Sequence, residues 1–224
     1  PHLTRSSDLG QTLSEPQLFG PEIANPSQVN LSVKLVAVTP QGTELASGYH
    51  IPHGARPDHP EDIRWRPCEV LVGRREAGDD AFQWQCHPSG LFLGEGFLEG
   101  GLVTRSGRII LEIWGACRQG ANWECGVLLS DDDGRSWRYR RVGFEADHAI
   151  RADPLMPAGY NEQSLFELAD GSIVSIIRGR ENLGAVRPDA LDETWFFRSV
   201  STDGVESWSK PARTNLPGTG ASMN

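Results

Sequence analysis

The sequence predicts an all-β chain assembled from repeated four-stranded antiparallel units, the architecture of a β-propeller. Three observations carry this. Short strand-like apolar runs recur along the chain, separated by turn residues, with 25 Gly and 15 Pro in 224 residues. A turn motif, Ser-x-Asp-x-Gly-x-x-Trp, recurs at a fixed place relative to those runs. Flat aromatics are plentiful, 7 Trp against 2 Met, which suits broad sheet faces.

The fullest copy of the motif is "SDDDGRSW", Ser130 to Trp137. "SSDLGQTL", from Ser6, repeats it with Leu13 in the Trp place. "STDGVESW", from Ser201, repeats it with Gly204 one place early, and "AGDDAFQW", from Ala77, is a worn copy that keeps Asp79 and Trp84. The chemistry is that of a stapled turn. Ser and Asp side chains accept backbone N–H bonds inside a tight loop, Gly takes a positive φ, and Trp buries a flat face on neighbouring sheet.

Each copy lies between β-like runs: "WECGVLL" and "RYRRVGF" flank the copy at Ser130, and "TWFFRSV" precedes the one at Ser201. Further strand pairs lie upstream, "SVKLVAV" with "TELASGY" and "GLVTR" with "RIILEIW". Each unit therefore reads as four antiparallel strands with the stapled turn joining the last two. The whole chain 1–224 reads as part of one propeller domain: the end of one blade in 1–20, blades over 30–90, 91–150 and 158–212, and the start of the next over 213–224.

Charged residues at 23% and hydrophobic residues at 38% describe a soluble globular chain. A net charge of −9 argues against nucleic acid as the partner, and no apolar run approaches the ~18 residues of a membrane span. The chain opens on Pro1 and closes in a polar run, so it reads as a fragment or a processed piece, and its compartment stays open. Cys68, Cys86, Cys117 and Cys125 flank two hairpins in pairs. That spacing is compatible with two local disulfides, although mostly free, buried thiols are expected. Nothing has the spacing of a zinc site.

Chemistry is expected where a blade's first strand begins. "YNEQSLFELADGSIVSIIRGR", Tyr160 to Arg180, is a hairpin around Ala169-Asp170-Gly171. Gly171 suits the left-handed place of a three-residue loop with a G1 bulge, which sets Leu168 opposite Ser172. Equal steps outward then bring Glu162 opposite Arg178, and a slip of one residue would part them to opposite faces. On the residues alone, this is either a cross-strand ion pair or half of a site.

The repeated turn resembles the Asp box, or BNR repeat, of the sialidase (neuraminidase) superfamily, whose members are six-bladed propellers. The resemblance implies a propeller of sialidase type, with about three blades and two partial ones in this chain. It also implies a structural role for Asp8, Asp132 and Asp203, since Asp boxes lie away from the active site. The hairpin matches a second family pattern: Asn161-Glu162, then Leu168-Ala169-Asp170-Gly171, then Arg178. The resemblance implies that Glu162 is the base for a tyrosine nucleophile and that Arg178 is one of three arginines gripping the substrate carboxylate. The family's other arginines, its acid/base Asp and its Tyr fall outside this chain on the same reading, in further sequence or another chain. The His50-Ile51-Pro52 segment is not a substitute for the family's Arg-Ile-Pro.

Other candidates follow from position. Arg180 shares a strand face with Arg178, and with Asn161 and Glu99 it joins the expected substrate contacts. Glu95 and Glu99 enter the next blade's first strand, either facing the channel or sitting beside the glycines of a strand start. His50, His53, Asp58, His59 and Asp62 crowd a Pro-rich loop that fits no metal pattern and reads as surface. The expected function is exo-hydrolysis of a terminal acidic sugar without cofactor. The alternatives are a non-catalytic propeller that binds glycans or proteins, or a polysaccharide lyase using the His-rich loop.

Overall fold

A computed structural model describes residues 2–20, 29–52, 66–93, 100–115, 123–143, 159–180 and 194–218. Among these residues there are strands, turns and bends but no helix, and so no helix long and apolar enough to cross a membrane. A two-stranded hairpin, β1 (His2–Leu3) with β2 (Gln17–Leu18), comes first. Three four-stranded antiparallel sheets follow. The first holds β3 (Val29–Val38), β4 (Glu44–Pro52), β5 (Arg66–Arg75) and β6 (Gln83–Leu93). The middle sheet holds β7 (Gly101–Val103), β8 (Ile109–Gly115), β9 (Glu124–Ser130) and β10 (Arg138–Gly143). The third holds β11 (Gly159–Glu167), β12 (Ile173–Arg180), β13 (Thr194–Ser201) and β14 (Ala212–Pro217). In each sheet spatial order follows chain order. Strands β6 and β14 run past the boundaries drawn at 90 and 212, because each pairs with the strand before it to its end.

The first hairpin of every sheet closes in the same way. Thr39, Thr104 and Leu168 each donate to the carbonyl four residues on, and Gly42, Gly107 and Gly171 donate back. These glycines have φ of 83°, 88° and 85°, the left-handed place of a G1 bulge.

The stapled turns join the third and fourth strands. Ser130 Oγ accepts from the Gly134 N–H at 2.9 Å and donates to Asp132 Oδ1 at 2.8 Å. Asp132 Oδ1 accepts from the backbone of Arg135 and Ser136, and Oδ2 from the Ser136 hydroxyl at 2.6 Å. Ser6 with Asp8, and Ser201 with Asp203, repeat these bonds, with Thr12 and Ser207 supplying the hydroxyl. That hydroxyl, one place before the Trp, is an element the sequence pattern did not single out. Trp137 and Trp208 pack against the cores, whereas Leu13 is exposed. The β5–β6 turn, without a Ser, closes through the Asp79 N–H on the Glu76 carbonyl, and Trp84 packs on Phe19 and Phe82.

The sheets stack face to face. Leu45, Val70 and Val72 of the first sheet meet Ile109, Leu111, Ile113 and Leu128 of the middle one. Ile110, Val127 and Leu129 on its other face meet Leu165, Ile173, Ile177 and Phe197 of the third. Covered on both faces, β8 and β9 are buried at every position, which is why they read as near-continuous apolar runs. Cys125 is buried, but Cys86 is exposed, contrary to the expectation of buried thiols, because it lies on the outermost strand of its sheet. Cys117 lies outside the described residues, as do His53, Asp58, His59 and Asp62.

Candidate functional site

The expected hairpin is β11 with β12. From Glu167↔Ile173 inward the pairs are those set by the Gly171 turn, as far as Gln163↔Ile177. There the register shifts, and the residue opposite Arg178 is Asn161, not Glu162. Glu162 is the extra residue of a bulge and takes φ of +32°. The strand slip expected to part the acid from the base does not do so, because the bulge turns Glu162 back. Its Oε1 lies 2.9 Å from Arg178 Nη1.

Neither partner is buried. The Arg178 side chain is 25% exposed and that of Glu162 is 28% exposed. Arg178 also donates from Nε to the Gly218 carbonyl at 3.2 Å, which ties it to the end of β14. Its Nη2 has no partner among the described residues. Arg180 pairs with Gly159 and Thr194, two places from Arg178 and on the same strand face. Its side chain lies outside the described residues, as do Glu95 and Glu99.

The start of β11 is pinned to the middle sheet. Tyr160 N–H donates to the Trp123 carbonyl at 3.0 Å, within a parallel bridge between Trp123 and Gly159. A Cβ at Gly159 would lie 2.3 Å from that carbonyl oxygen, so this approach requires glycine. Further along, Gln163 is buried and its amide bonds to Ile113, Gly126 and Ser175. Glu112, also buried, accepts the Leu165 N–H at 2.9 Å. Sequence reading missed both residues. A lone Gln or Glu in a strand looks like a solvent-facing position, and only the stacking of one sheet on the next buries these two.

One tyrosine–glutamate contact lies at the same end of the middle sheet. Tyr139 donates its hydroxyl to Glu124 Oε1 at 3.0 Å, and Arg141 pairs with the same buried carboxylate. Burial, then the Glu124 charge, pushes the Tyr139 hydroxyl above the ordinary phenol range. It therefore stays protonated and serves as a strut rather than a nucleophile.

Two open clefts of about 460 and 630 Å³ lie at the opposite end, among the turns. Their charged groups, Arg108 with Asp131 and Arg74 with Asp133, are already paired with one another. The partly exposed Glu162–Arg178 pair is the better candidate, because Arg178 Nη2 has no partner among the described residues.

No protein-family model matches the sequence, and no curated protein matches it. Solved structures do match. One from Dyadobacter fermentans, of unknown function, is 20% identical with a TM-score of 0.63, over 96% of this chain and 58% of that one. Sialidases are also among the matches. The Hadza microbial sialidase Hz136 is 14% identical with a TM-score of 0.65, over 96% of this chain and 40% of its own. An α-L-arabinanase from Penicillium chrysogenum, complexed with arabinobiose, is 13% identical with a TM-score of 0.54, over 87% and 52%. The chain is thus similar in fold to propeller-type glycoside hydrolases. It spans less than two thirds of the length of each.

Proposed function

We propose that this chain is part of a sialidase-like exo-glycoside hydrolase that removes a terminal acidic sugar, sialic acid or a relative, from glycans. The observation that carries the reading is Glu162, a carboxylate held at positive φ in a strand bulge and paired with a quarter-exposed arginine whose Nη2 has no partner among the described residues. Strained backbone at a non-glycine residue points toward function. Arg178 grips the substrate carboxylate through parallel charge-assisted bonds. Glu162 polarises a tyrosine supplied from outside these residues, since a neutral hydroxyl nucleophile escapes the repulsion that an anionic substrate exerts on a carboxylate. Asn161, Arg180 and Glu99 are assigned the remaining substrate contacts, and further sheets complete a six-bladed ring. No cofactor is required. The sialidases of similar fold support the acidic sugar. The arabinanase supports only glycoside hydrolysis, because arabinobiose has no carboxylate to occupy Arg178.

The test uses the full-length protein and a fluorogenic sialoside. Glu162→Gln is expected to lower kcat/KM by about 100-fold or more. Arg178→Lys, which keeps charge but loses the planar fork, is expected to raise KM about tenfold. Unchanged turnover in Glu162→Gln would sink the assigned role. Turnover of arabinosides but not sialosides would overturn the sugar class.

A further inference from the structure

Gln163 follows the bulge directly and is 1% exposed. Nε2 donates to the Ile113 carbonyl at 3.1 Å and the Gly126 carbonyl at 2.6 Å, and Oε1 accepts from Ser175 Oγ at 3.1 Å. Ile113 and Gly126 are a cross-strand pair of β8 and β9. One amide thus locks β11 to two strands of the neighbouring sheet and one of its own. Gly126 is itself braced: the Tyr139 ring lies over it, where a Cβ would come within 2.3 Å, and Glu124 holds the Tyr139 hydroxyl.

Burying an amide costs free energy unless its bonds are made. Burial alone would be met by an aliphatic residue, as Ile177 meets it directly opposite. What the amide adds is register. The strand is tied to the middle sheet at Tyr160, through Trp123, and again at Gln163. Between the ties lie Asn161 and Glu162, facing the single residue Arg178. The span holds one residue too many for a flat ladder, and the surplus residue is Glu162.

We propose that Gln163 is a positioning residue: its amide fixes the bulge at Glu162 and so holds the Glu162 carboxylate on Arg178. The consequence for catalysis rests on the reading of that pair given above, whereas the positioning itself does not.

The test is Gln163→Leu in the full-length protein, which keeps bulk and burial but removes the amide. Its crystal structure is expected to show Glu162 out of positive φ and the Glu162–Arg178 contact opened past hydrogen-bond distance. Sialoside kcat/KM is expected to fall about 10- to 100-fold. Leu165→Ala, on the same face of β11 and at the same junction, is the control. It is expected to lower the thermal midpoint while leaving the pair and kcat/KM within about twofold. A Gln163→Leu structure with bulge and ion pair unchanged overturns the proposal. If that variant does not fold, Ser175→Ala removes only the third bond. A widened Glu162–Arg178 separation then supports the proposal, and unaltered geometry overturns it. Should Glu162→Gln retain full activity while Gln163→Leu opens the pair, the enzymatic reading fails and the positioning stands.

Discussion

Four non-glycine residues take positive φ among the described residues: Leu9, Asp133, Val205 and Glu162. The first three sit inside stapled turns, where the staple imposes the conformation. Val205 is a β-branched residue in the place that Gly134 holds in the turn at Ser130, because Gly204 comes one residue early. Left-handed backbone costs such a residue about 1–2 kcal/mol. Full burial of its side chain in the core contributes about 1.5–3 kcal/mol, enough to offset that strain. Glu162 has no turn to force it and no burial to offset it, which sets it apart from the other three. Its neighbour Gly159 makes the bulge reachable by letting β11 start against Trp123. Gly159→Ala is therefore expected to destabilise the protein by at least about 1–3 kcal/mol, read as a lower urea midpoint. An unchanged midpoint would mean that the Trp123 contact does not hold the strand start.

At the scale of elements, the stapled turns make an acid-sensitive set. Asp8 and Asp203 are each lowered to about 2, chiefly by bonds from Thr12 and Ser207 respectively. Asp132 is also lowered to about 2: burial opposes this, and hydrogen bonds from Ser136, Ser130 and Arg135 outweigh it. An unfolded Asp titrates near 3.9. Groups depressed in the fold contribute stability above that value and lose it as pH falls through the folded one. The thermal midpoint should thus hold from neutral pH to about 5 and fall between about 4 and 2. Asp132→Asn should lower the midpoint at pH 7, with the gap to the parent closing near pH 2; a gap that persists there would rule out titration of this carboxylate as its cause. These turns were legible in the sequence because their bonds are local, between residues at most four apart. The Gly171 turn was legible for the same reason, and its register holds to Gln163. The bulge beyond was not, because its cause lies in another sheet: the Trp123 carbonyl and the carbonyls that receive the Gln163 amide are 37 or more residues away in sequence.

Across the whole molecule, the repeated units predicted four-stranded sheets but not what joins them. The joints are polar as well as apolar, and they fall on the stapled turns. Arg74, on β5, donates from Nε to the Asp133 carbonyl and from Nη2 to Asp133 Oδ2, both at 2.7 Å, and Thr43 Oγ1 also donates to that carboxylate. One sheet further on, Arg108 reaches the Gly204 carbonyl and pairs with Asp131 and Glu206. In both cases an arginine takes the carbonyl of the fourth residue of the next turn, so the motif that closes one sheet also docks it to its neighbour. Arg74 is only 13% exposed, and its removal leaves the Asp133 carboxylate with the longer 3.8 Å approach of Arg135 as its ion pair. Hydrogen bonds to charged groups contribute about 1.5–3 kcal/mol, and an exposed ion pair about 0–1 kcal/mol. Arg74 also pairs with Glu76 at 2.7 Å. Arg74→Ala should therefore cost roughly 2 kcal/mol, whereas Arg135→Ala, at 57% exposed and also bonded to Glu76, should stay within about 0.5 kcal/mol of the parent. Urea denaturation of both variants decides it. Equal midpoints would place the cohesion of the first two sheets in the Leu45–Val72–Leu111 core alone, and the arginine would then be a passenger on a joint made by apolar packing.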